Sequence, residues 1–232
     1  MKKSWLVLSM LFVFFVTPIT GQAASNPTVD YQSSLQKTGW QSWKSNGTTS
    51  GTTGQNKRLE AIKLKISNTT VSSKIEYKAY VQKQGWDKTY RANGTVAGTT
   101  GKNLRMEAIQ IRLTGDLAKK YDVYYRVNIP QYGWLGWTKN GAQAGSSGLN
   151  FQIEAIQVKL VKKGSKAPGS TTNPFHNGTK KYVDAKGNGT IKGSSAKIFH
   201  LPGGQYYKQT TKPVKYFKTE AEAVKAGYRP AK

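Results

Sequence analysis

The sequence has 232 residues, no cysteine, and 36 Lys and Arg against 11 Asp and Glu, which gives a formal net charge of +25. The absence of cysteine excludes disulfide bonds, thiolate catalysis and every zinc site that uses cysteine ligands. The charge is not confined to a tail, since residues 25–163 carry 21 basic and 8 acidic side chains and residues 164–232 carry 13 and 3. Both parts therefore favour association with polyanions, although charge alone does not identify the polyanion.

The amino-terminal segment has the pattern of a secretory signal peptide. Lys2 and Lys3 precede a mostly apolar run at residues 5–16, and Ala23 and Ala24 supply small residues for cleavage. The apolar run is shorter than the roughly 20 residues that a membrane-spanning helix needs. We therefore predict that residues 1–24 are a signal peptide, that the protein is secreted or attached to the cell surface, and that it has no transmembrane anchor.

Residues 25–163 contain three copies of one pattern, at about 29–68, 75–115 and 123–161. Each copy has a tyrosine, then Gly-Trp, a second aromatic residue, Asn-Gly, a glycine in a small-residue loop, and Glu-Ala-Ile. The last three features recur every 47 residues. The defining positions are Tyr31, Tyr77 and Tyr125; Trp40, Trp86 and Trp134; Trp43, Tyr90 and Trp137; Asn46, Asn93 and Asn140; Gly54, Gly101 and Gly148; and Glu60, Glu107 and Glu154.

Each copy is predicted to consist of short β-strands. In its last segment Ile62, Leu64 and Ile66 alternate with lysines, which is typical of a strand with one buried and one wet face. Asn-Gly favours a two-residue hairpin turn, because both residues tolerate positive φ. The middle copy has one extra residue between Trp86 and Asn93, which predicts a bulge or a longer turn.

Units of this size are too small for separate cores, so we expect the three copies to share one. Closure about a pseudo-threefold axis would remove exposed edge strands. The predicted fold is an all-β pseudo-threefold repeat domain, β-trefoil-like or a β-prism, followed by a small α+β module. An open solenoid is the less favoured alternative because the three units lack capping repeats.

The repeated pattern resembles the clostridial hydrophobic repeat with a characteristic Trp, the ChW repeat, most clearly from Tyr77 to Leu113. The resemblance implies an exported or surface protein of a Gram-positive bacterium that attaches to cell wall, polysaccharide or substrate. The third copy departs from the pattern, with Ser146 and Ser147 in place of Thr-Thr and Gln152 in place of Arg. A ligand role for that loop is therefore less well supported in the third copy.

Two sets of repeat residues are candidate ligand-binding positions. Trp43, Tyr90 and Trp137 each precede a polar turn and are predicted to stack on sugar rings, whereas the tryptophans that follow glycine are predicted to plug the core. The glutamates share the parity of the buried isoleucines, so each is expected to pair with an arginine two residues earlier, to accept sugar hydroxyl groups, or, least favoured, to act in catalysis. These glutamates are Glu60, Glu107 and Glu154.

The carboxy-terminal part is predicted to be a flexible linker at 164–187 and a compact module at 188–232. The module's Ile-Lys-Gly, His-x-Pro-Gly-Gly, Tyr-Tyr and Gly-Tyr-Arg-Pro segments resemble the sunset domain of secreted bacterial proteins. Thr219 and Glu222 form a capping box, which predicts a short helix that Gly227 ends. Strands are expected at 198–200 and 215–217. His200 lies within the first of these, where a structural role is favoured over a metal or base role.

The sequence shows no catalytic constellation, metal site or cofactor motif, and we expect a non-enzymatic protein without a cofactor. The favoured function is binding of a polysaccharide or an anionic wall polymer, with cell-wall glycan or teichoic acid as partner. The alternative is an extracellular nucleic-acid-binding or nuclease-associated protein, because the basic charge suits any phosphate polymer. An enzyme that uses the three glutamates is the third hypothesis, although glycoside hydrolysis needs two carboxylates in different environments.

Overall fold

The structure is a computed structural model and describes residues 26–231. The predicted signal peptide lies outside the described residues. Each repeat consists of a long strand, three very short strands and a second long strand. The strands of the first repeat are β1 (Thr28–Leu35), β2 (Gly39–Trp40), β3 (Lys44–Ser45), β4 (Ser50–Gly51) and β5 (Leu59–Ser67).

The other two repeats follow the same order, with one short helix between them. The second contains β6 (Ser73–Val81), β7 (Gly85–Trp86), β8 (Arg91–Ala92), β9 (Ala97–Gly98) and β10 (Met106–Gly115). After α1 (Leu117–Lys120), the third contains β11 (Tyr121–Ile129), β12 (Gly133–Trp134), β13 (Thr138–Lys139), β14 (Ala144–Ser147) and β15 (Ala155–Lys162). The extra residue of the middle copy lengthens the loop between β7 and β8.

The two long strands of each repeat pair with each other in antiparallel fashion, as β1–β5, β6–β10 and β11–β15. The first long strand also pairs with the first and second short strands of its own repeat, which are β2 and β3 in the first copy. Each repeat therefore builds its own small twisted sheet, with one face on the shared core and one face outward.

The short fourth strand of each repeat leaves its own sheet and pairs with the last strand of another repeat. β9 pairs with β5, β14 with β10, and β4 with β15. The exchange is cyclic, because each repeat gives one strand and receives one. This cycle joins the three sheets into one pseudo-threefold unit.

Two backbone hydrogen bonds also join equivalent positions of the three repeats. The Leu59 N–H donates to the Ile153 carbonyl at 2.8 Å, and the Ile153 N–H donates to the Met106 carbonyl at 2.9 Å. These three residues hold equivalent positions and are fully buried, within one core that the three repeats share. The predicted all-β repeat domain is thus confirmed at the level of class. The described strands of the repeats form three sheets and no closed barrel, so the finer assignment to a trefoil or a prism remains a prediction.

The Asn-Gly pairs form turns but not the predicted two-residue hairpins, because the short strands on either side pair elsewhere, β3 with β1 and β4 with β15. In the first copy Asn46 has φ 35° and Gly47 has φ 92°, the positive values that the pair was expected to supply. The Asn46 side chain accepts the Val29 N–H at 3.2 Å, and the Gly47 N–H donates to Val158 of the third repeat at 2.7 Å. The equivalent glycines of the other copies make the same bond to a neighbouring repeat, so the turns help to join the repeats.

A β-bulge interrupts the alternation on which the sequence analysis relied. In β5 the register shifts between Leu59 and Ala61, leaving Glu60 without a strand partner, and β10 shifts in the same way at Glu107. Leu59 is therefore buried even though it has the opposite parity to Ile62. An extra residue in one strand re-aims the side chains around it, and hydrophobic alternation alone does not reveal its position.

The carboxy-terminal module is a small α+β unit. It contains β17 (Ile191–Gly193), β18 (Ile198–His200), β19 (Lys215–Phe217), α2 (Glu220–Lys225) and β20 (Arg229–Pro230), and the strands lie in the order β19-β17-β18-β20. The two predicted strands are confirmed at their predicted residues. The capping box is also present, since Thr219 Oγ1 accepts the Glu222 N–H at 3.1 Å. Gly227, with φ 80°, follows the end of the helix.

The segment between the two units contains ordered contacts within the predicted linker at 164–187. Strand β16 (Phe175–Asn177) pairs in parallel with β14 of the third repeat. The same segment touches the module, because the Ala221 N–H donates to the Gly178 carbonyl at 3.0 Å. The residues that follow the repeats thus attach the module to the third repeat.

A buried polar cluster completes this attachment. The Glu220 carboxylate, at the start of α2, accepts the Tyr132 hydroxyl from the third repeat and lies 3.1 Å from His176 Nδ1. The Tyr132 and His176 rings stack with centroids 3.9 Å apart. Burial, together with the Glu220 charge, raises the pKa of Tyr132, so its phenol remains a donor. Polar side chains of the third repeat, the connecting segment and the module therefore satisfy one another's hydrogen-bonding groups.

Candidate functional site: the outer aromatic faces

The outward side of each repeat sheet carries two aromatic residues with a cation against them. We call this arrangement the outer aromatic face. It forms because β2, β7 and β12 place their tryptophans beside the first long strand, as in the Ser34–Trp40 pair of the first copy. The tryptophans after glycine, Trp40, Trp86 and Trp134, are half-buried. The core prediction is therefore wrong for these three residues, since a two-residue edge strand holds each of them at the sheet surface.

In the first repeat each aromatic residue has its own lysine. Lys63 Nζ lies 4.5 Å from the Trp40 ring centroid, and Lys65 Nζ lies 4.6 Å from that of Trp43. Both lysines come from the outward positions of β5. The Trp43 side chain is 40% exposed, so this predicted ligand residue is open to solvent.

In the second repeat a single lysine lies against both aromatic rings. Lys78 Nζ is 5.4 Å from the Trp86 centroid and 5.1 Å from that of Tyr90. The Arg112 guanidinium also lies 4.0 Å from the Tyr90 centroid. The Tyr90 hydroxyl donates to Gln110 Oε1 at 3.2 Å, which fixes the ring on the sheet surface. Tyr90 is half-buried, with part of its surface facing solvent.

In the third repeat an arginine lies between two indoles, and one indole is covered. The Arg126 guanidinium is 4.8 Å from the Trp134 centroid and 4.9 Å from that of Trp137, and burial lowers the pKa of Arg126. The backbone N–H of Trp137 donates to the Ser170 carbonyl at 2.8 Å. The chain also passes close to the Trp137 indole at Gly169. Trp137 is consequently only 5% exposed and does not present its ring to a ligand in this arrangement.

The first two candidate glutamates are paired with arginines of their own repeat. Arg58 Nη2 lies 2.7 Å from Glu60 Oε1, and Arg105 Nη2 lies 2.8 Å from Glu107 Oε1. Arg105 also donates to Asn150 of the next repeat at 2.9 Å. This is the pairing with the preceding arginine that the sequence analysis expected. Burial raises the pKa of Glu107, and the charge of Arg105 acts against that shift.

The third glutamate has a different environment because Gln152 replaces the arginine. Gln152 Nε2 donates to Glu154 Oε1 and to Asn56 Oδ1, both at 2.9 Å. Glu154 is fully buried, and its Oε2 atom has no hydrogen-bond partner among the described residues. The asparagines Asn56, Asn103 and Asn150 thus connect each Arg or Gln to another repeat, and the glutamates form part of a structural ring.

Sequence reasoning found the aromatic residues but missed their cations. The alternating pattern identifies Lys63 and Lys65 only as residues of a wet strand face, and it singles out neither Lys78 nor Arg126. The sequence did contain a signal for these cations. They occupy outward positions on the long strands, close to the short edge strands that carry the aromatic residues. The register between strands decides which ring each cation contacts, and the sequence alone does not reveal that register.

Within residues 26–231 no group of three or more His, Asp or Glu side chains is placed to hold a metal ion. The same part of the chain contains no helix with the length and apolar composition needed to cross a bilayer.

Both histidines lie near the junction with the carboxy-terminal module. Burial, and then the charge of Lys192, lowers the pKa of His200, so its ring is neutral at neutral pH.

The family comparisons agree with the repeat pattern. The ChW family, described as Clostridial hydrophobic W, matches residues 35–68, 80–115 and 128–162, so the chain contains three ChW repeats, as predicted. ChW repeats are found in cell-surface proteins. A second family, ArfC, matches residues 173–230, a range that begins inside the predicted linker. No comparison supports the sunset resemblance, and the predicted domain limits remain predictions. No curated protein and no solved structure matches the chain.

Proposed function

We propose that this protein is a non-catalytic, secreted binding protein of the cell surface that attaches to an anionic wall polysaccharide. The three ChW repeats agree with a surface protein. The observation that carries the proposal is the outer aromatic face, in which a Lys or Arg side chain lies against aromatic rings on the outward side of each sheet, with Trp43 the most open of these rings.

Each face combines two kinds of contact that an anionic glycan needs. An indole or phenol ring contacts the apolar side of a sugar ring, and the neighbouring cation attracts a phosphate or carboxylate. Trp43 and Lys65 in the first repeat and Tyr90 and Arg112 in the second are the most open examples. A wall glycan substituted with teichoic acid offers both chemical groups on one polymer.

Several similar faces on one chain suit a repetitive ligand. Once one face has bound, a second face meets the same polymer at high effective concentration, so weak individual sites produce firm attachment. The net charge of +25 adds a long-range attraction to any anionic polymer.

The carboxylates support a binding role over a hydrolytic one. Glu60 and Glu107 are held by arginines two residues earlier, and Glu154 is buried beneath Gln152. Acid–base chemistry on a glycosidic bond needs two carboxyl groups facing one substrate in different protonation states. Glu60 and Glu107 are instead equivalent, each engaged with its own arginine.

The test is co-sedimentation of the mature chain with purified sacculi, with and without teichoic acid. We expect binding to intact walls and weaker binding after removal of teichoic acid. The double variant Trp43→Ala and Tyr90→Ala should weaken binding about tenfold, as expected when stacked aromatic and cation–π contacts are lost at two faces. Val214→Ala is the matched control, since Val214 is an exposed apolar residue outside the repeats. Failure to sediment with either preparation would refute the proposal.

Binding of extracellular nucleic acid is the second candidate. The net charge of +25 and the Lys and Arg side chains beside Trp43 and Tyr90 also suit a phosphate backbone with stacked bases. Binding to single-stranded DNA that falls steeply with salt, in the absence of wall binding, would favour this function over the first.

A further inference from the structure

A cavity of about 330 Å³ lies between the third repeat and the carboxy-terminal module. Its volume is within the range of small-molecule sites in proteins. The third repeat supplies Tyr132, Trp134 and Leu135, and the module supplies Leu201, Tyr206 and Tyr207. The cavity exists only because the two units meet, so neither unit forms it alone.

The walls of the cavity are held in place from both sides. The Tyr132–His176–Glu220 cluster fixes its floor, and the Tyr207 hydroxyl donates to the Thr190 carbonyl at 2.7 Å. Gly136 lies against the segment after the repeats so closely that a Cβ there would come within 2.2 Å of the Thr172 carbonyl oxygen. A site with walls fixed in this way loses little entropy when a ligand binds.

The lining has little charge, although the protein is strongly basic. It contains no Asp, Glu, Lys or Arg, and its polar groups are amides, hydroxyls and the two histidines. His176 is engaged with Glu220, and His200 is neutral at neutral pH. An anionic group would find no ionic partner inside, so the lining favours a neutral ligand.

Aromatic faces and short polar groups are combined in this lining. Tyr206 is 40% exposed, and its ring makes no hydrogen bond through its hydroxyl within the described chain. Gly203 and Gly204 line the edge of the cavity without side chains, and Asn173 and Gln205 supply amides. A saturated ring with an apolar face and hydroxyl groups on its rim matches such walls, because the face stacks on an aromatic ring and the rim bonds to amides and hydroxyls.

We propose that this inter-unit cavity is a second binding site, specific for a neutral pyranose ring of a glycan. The inference rests on the proposed function and deepens it, because Trp134 belongs to both the third outer aromatic face and the cavity. One polymer thereby contacts the outer face through its charged groups and inserts an uncharged sugar ring beside Trp134. The cavity provides selection of the sugar, and the outer faces provide attachment.

The experiment measures binding of neutral trisaccharides to the full mature chain by isothermal titration calorimetry and by shifts of the Tyr206 and Trp134 resonances. The probes are chitotriose, cellotriose, maltotriose and mannotriose. At least one of them should bind, and Tyr206→Ala should weaken that binding about tenfold, the loss expected for one stacked aromatic. Thr172→Trp, which fills the cavity from an exposed position, should abolish binding while the melting temperature stays unchanged.

Tyr216→Ala is the matched control, because Tyr216 is an exposed tyrosine of the same module that lines neither the cavity nor an outer aromatic face. Binding by this variant should equal that of the parent protein. The inference is overturned if none of the four sugars binds, if Tyr216→Ala weakens binding as much as Tyr206→Ala, or if the cavity takes up an apolar aromatic compound in preference to every sugar.

The two proposals fail in distinguishable ways. If the protein still sediments with cell walls but no trisaccharide shifts the Tyr206 resonances, only the cavity inference fails. If a trisaccharide binds in the cavity while walls are not bound, only the proposal for the outer aromatic faces fails. Tyr206→Ala is expected to retain most wall binding, since Tyr206 contributes to no outer aromatic face.

Discussion

Three glutamates at equivalent positions have two different environments, and the difference comes from one residue. Glu60 and Glu107 each face an arginine that is held by an asparagine of another repeat. Glu154 faces Gln152, which satisfies only one of its oxygens. An unsatisfied buried acceptor costs about 1–3 kcal/mol. The third copy is therefore the least well satisfied part of the ring.

Restoring arginine in the third copy should stabilise the fold. Gln152→Arg gives Glu154 a charged guanidinium that can donate two hydrogen bonds. The first two copies already accommodate an arginine at this position. We expect the free energy of unfolding in urea to rise by about 1–2 kcal/mol. The reverse change in the second copy, Arg105→Gln, should lower it. A Gln152→Arg protein less stable than the parent would contradict this account.

The buried tyrosines make the repeat domain sensitive to alkali. The Tyr31, Tyr77 and Tyr125 hydroxyls each donate to a backbone carbonyl next to the exchanged strand, and burial raises their pKa values, that of Tyr31 to about 12. An unfolded tyrosine ionises near pH 10, so above that pH the unfolded chain releases protons that the folded chain keeps. Stability should therefore fall as the pH rises from about 10 towards 12.

Tyr77→Phe tests this dependence at one site. The variant loses the bond to the Thr95 carbonyl and should be less stable at neutral pH by about 1 kcal/mol. Its stability should also fall less steeply above pH 10, because one shifted group is absent. Urea unfolding at a series of pH values measures both effects. Tyr216→Phe is the control, since Tyr216 is exposed and should alter neither property.

At the scale of the elements, strand exchange between repeats depends on glycine. Gly51, Gly98 and Gly145 lie in the exchanged strands with positive φ, and a Cβ on Gly98 would come within 2.5 Å of the Glu60 carbonyl oxygen. A larger residue would force the exchanged strand away from its acceptor. The glycines at these positions are thus needed for close packing between repeats, whether or not the small-residue loops also bind a ligand.

Gly98→Ala should be strongly destabilising, by about 3 kcal/mol, since it combines an unfavourable φ with a backbone clash. Gly101→Asn is the control, because Gly101 also has positive φ but open space around it, and asparagine tolerates that conformation. Thermal unfolding of the two variants measures the difference. Equal melting temperatures would mean that close approach at Gly98 is unimportant.

The elements were largely predictable from sequence, and their partners were not. Period-two runs, the Asn-Gly turn positions and the Thr219 cap each predicted a local feature that is present, because local backbone preference decides these features. The hairpins predicted at Asn-Gly do not form, because the strands on either side pair elsewhere. The bulge at Glu60 and the edge position of Trp40 were missed, since both depend on which strand lies alongside. The cations of the outer aromatic faces were missed for the same reason.

At the scale of the whole molecule, one buried carboxylate joins the two units. Glu220 accepts Tyr132 of the third repeat and lies beside His176 of the connecting segment. Removing one acceptor would leave two buried polar groups without their partner. The arrangement of the module, and with it the cavity, should therefore depend on this side chain.

Glu220→Ala should loosen the module while leaving the repeat domain folded. We expect faster hydrogen exchange of the Gly178 amide, which bonds to the Ser147 carbonyl across the junction, and unchanged exchange of the core amides in β10. Glu222→Ala is the control, because Glu222 lies on the same helix but accepts only the Lys218 N–H outside the junction. Equal protection of Gly178 in the parent and in Glu220→Ala would contradict this role.

The sequence by itself determined the threefold repetition, the strand-rich class, the basic charge and the short capped helix, because each follows from residue order and local preference. Only the tertiary structure decided that a strand passes from each repeat to another, that the Trp137 indole is covered while Trp43 is open, and that the module rests on the third repeat. Those features depend on contacts between residues distant in the chain. Their register is set by packing and by hydrogen bonds that no single segment specifies.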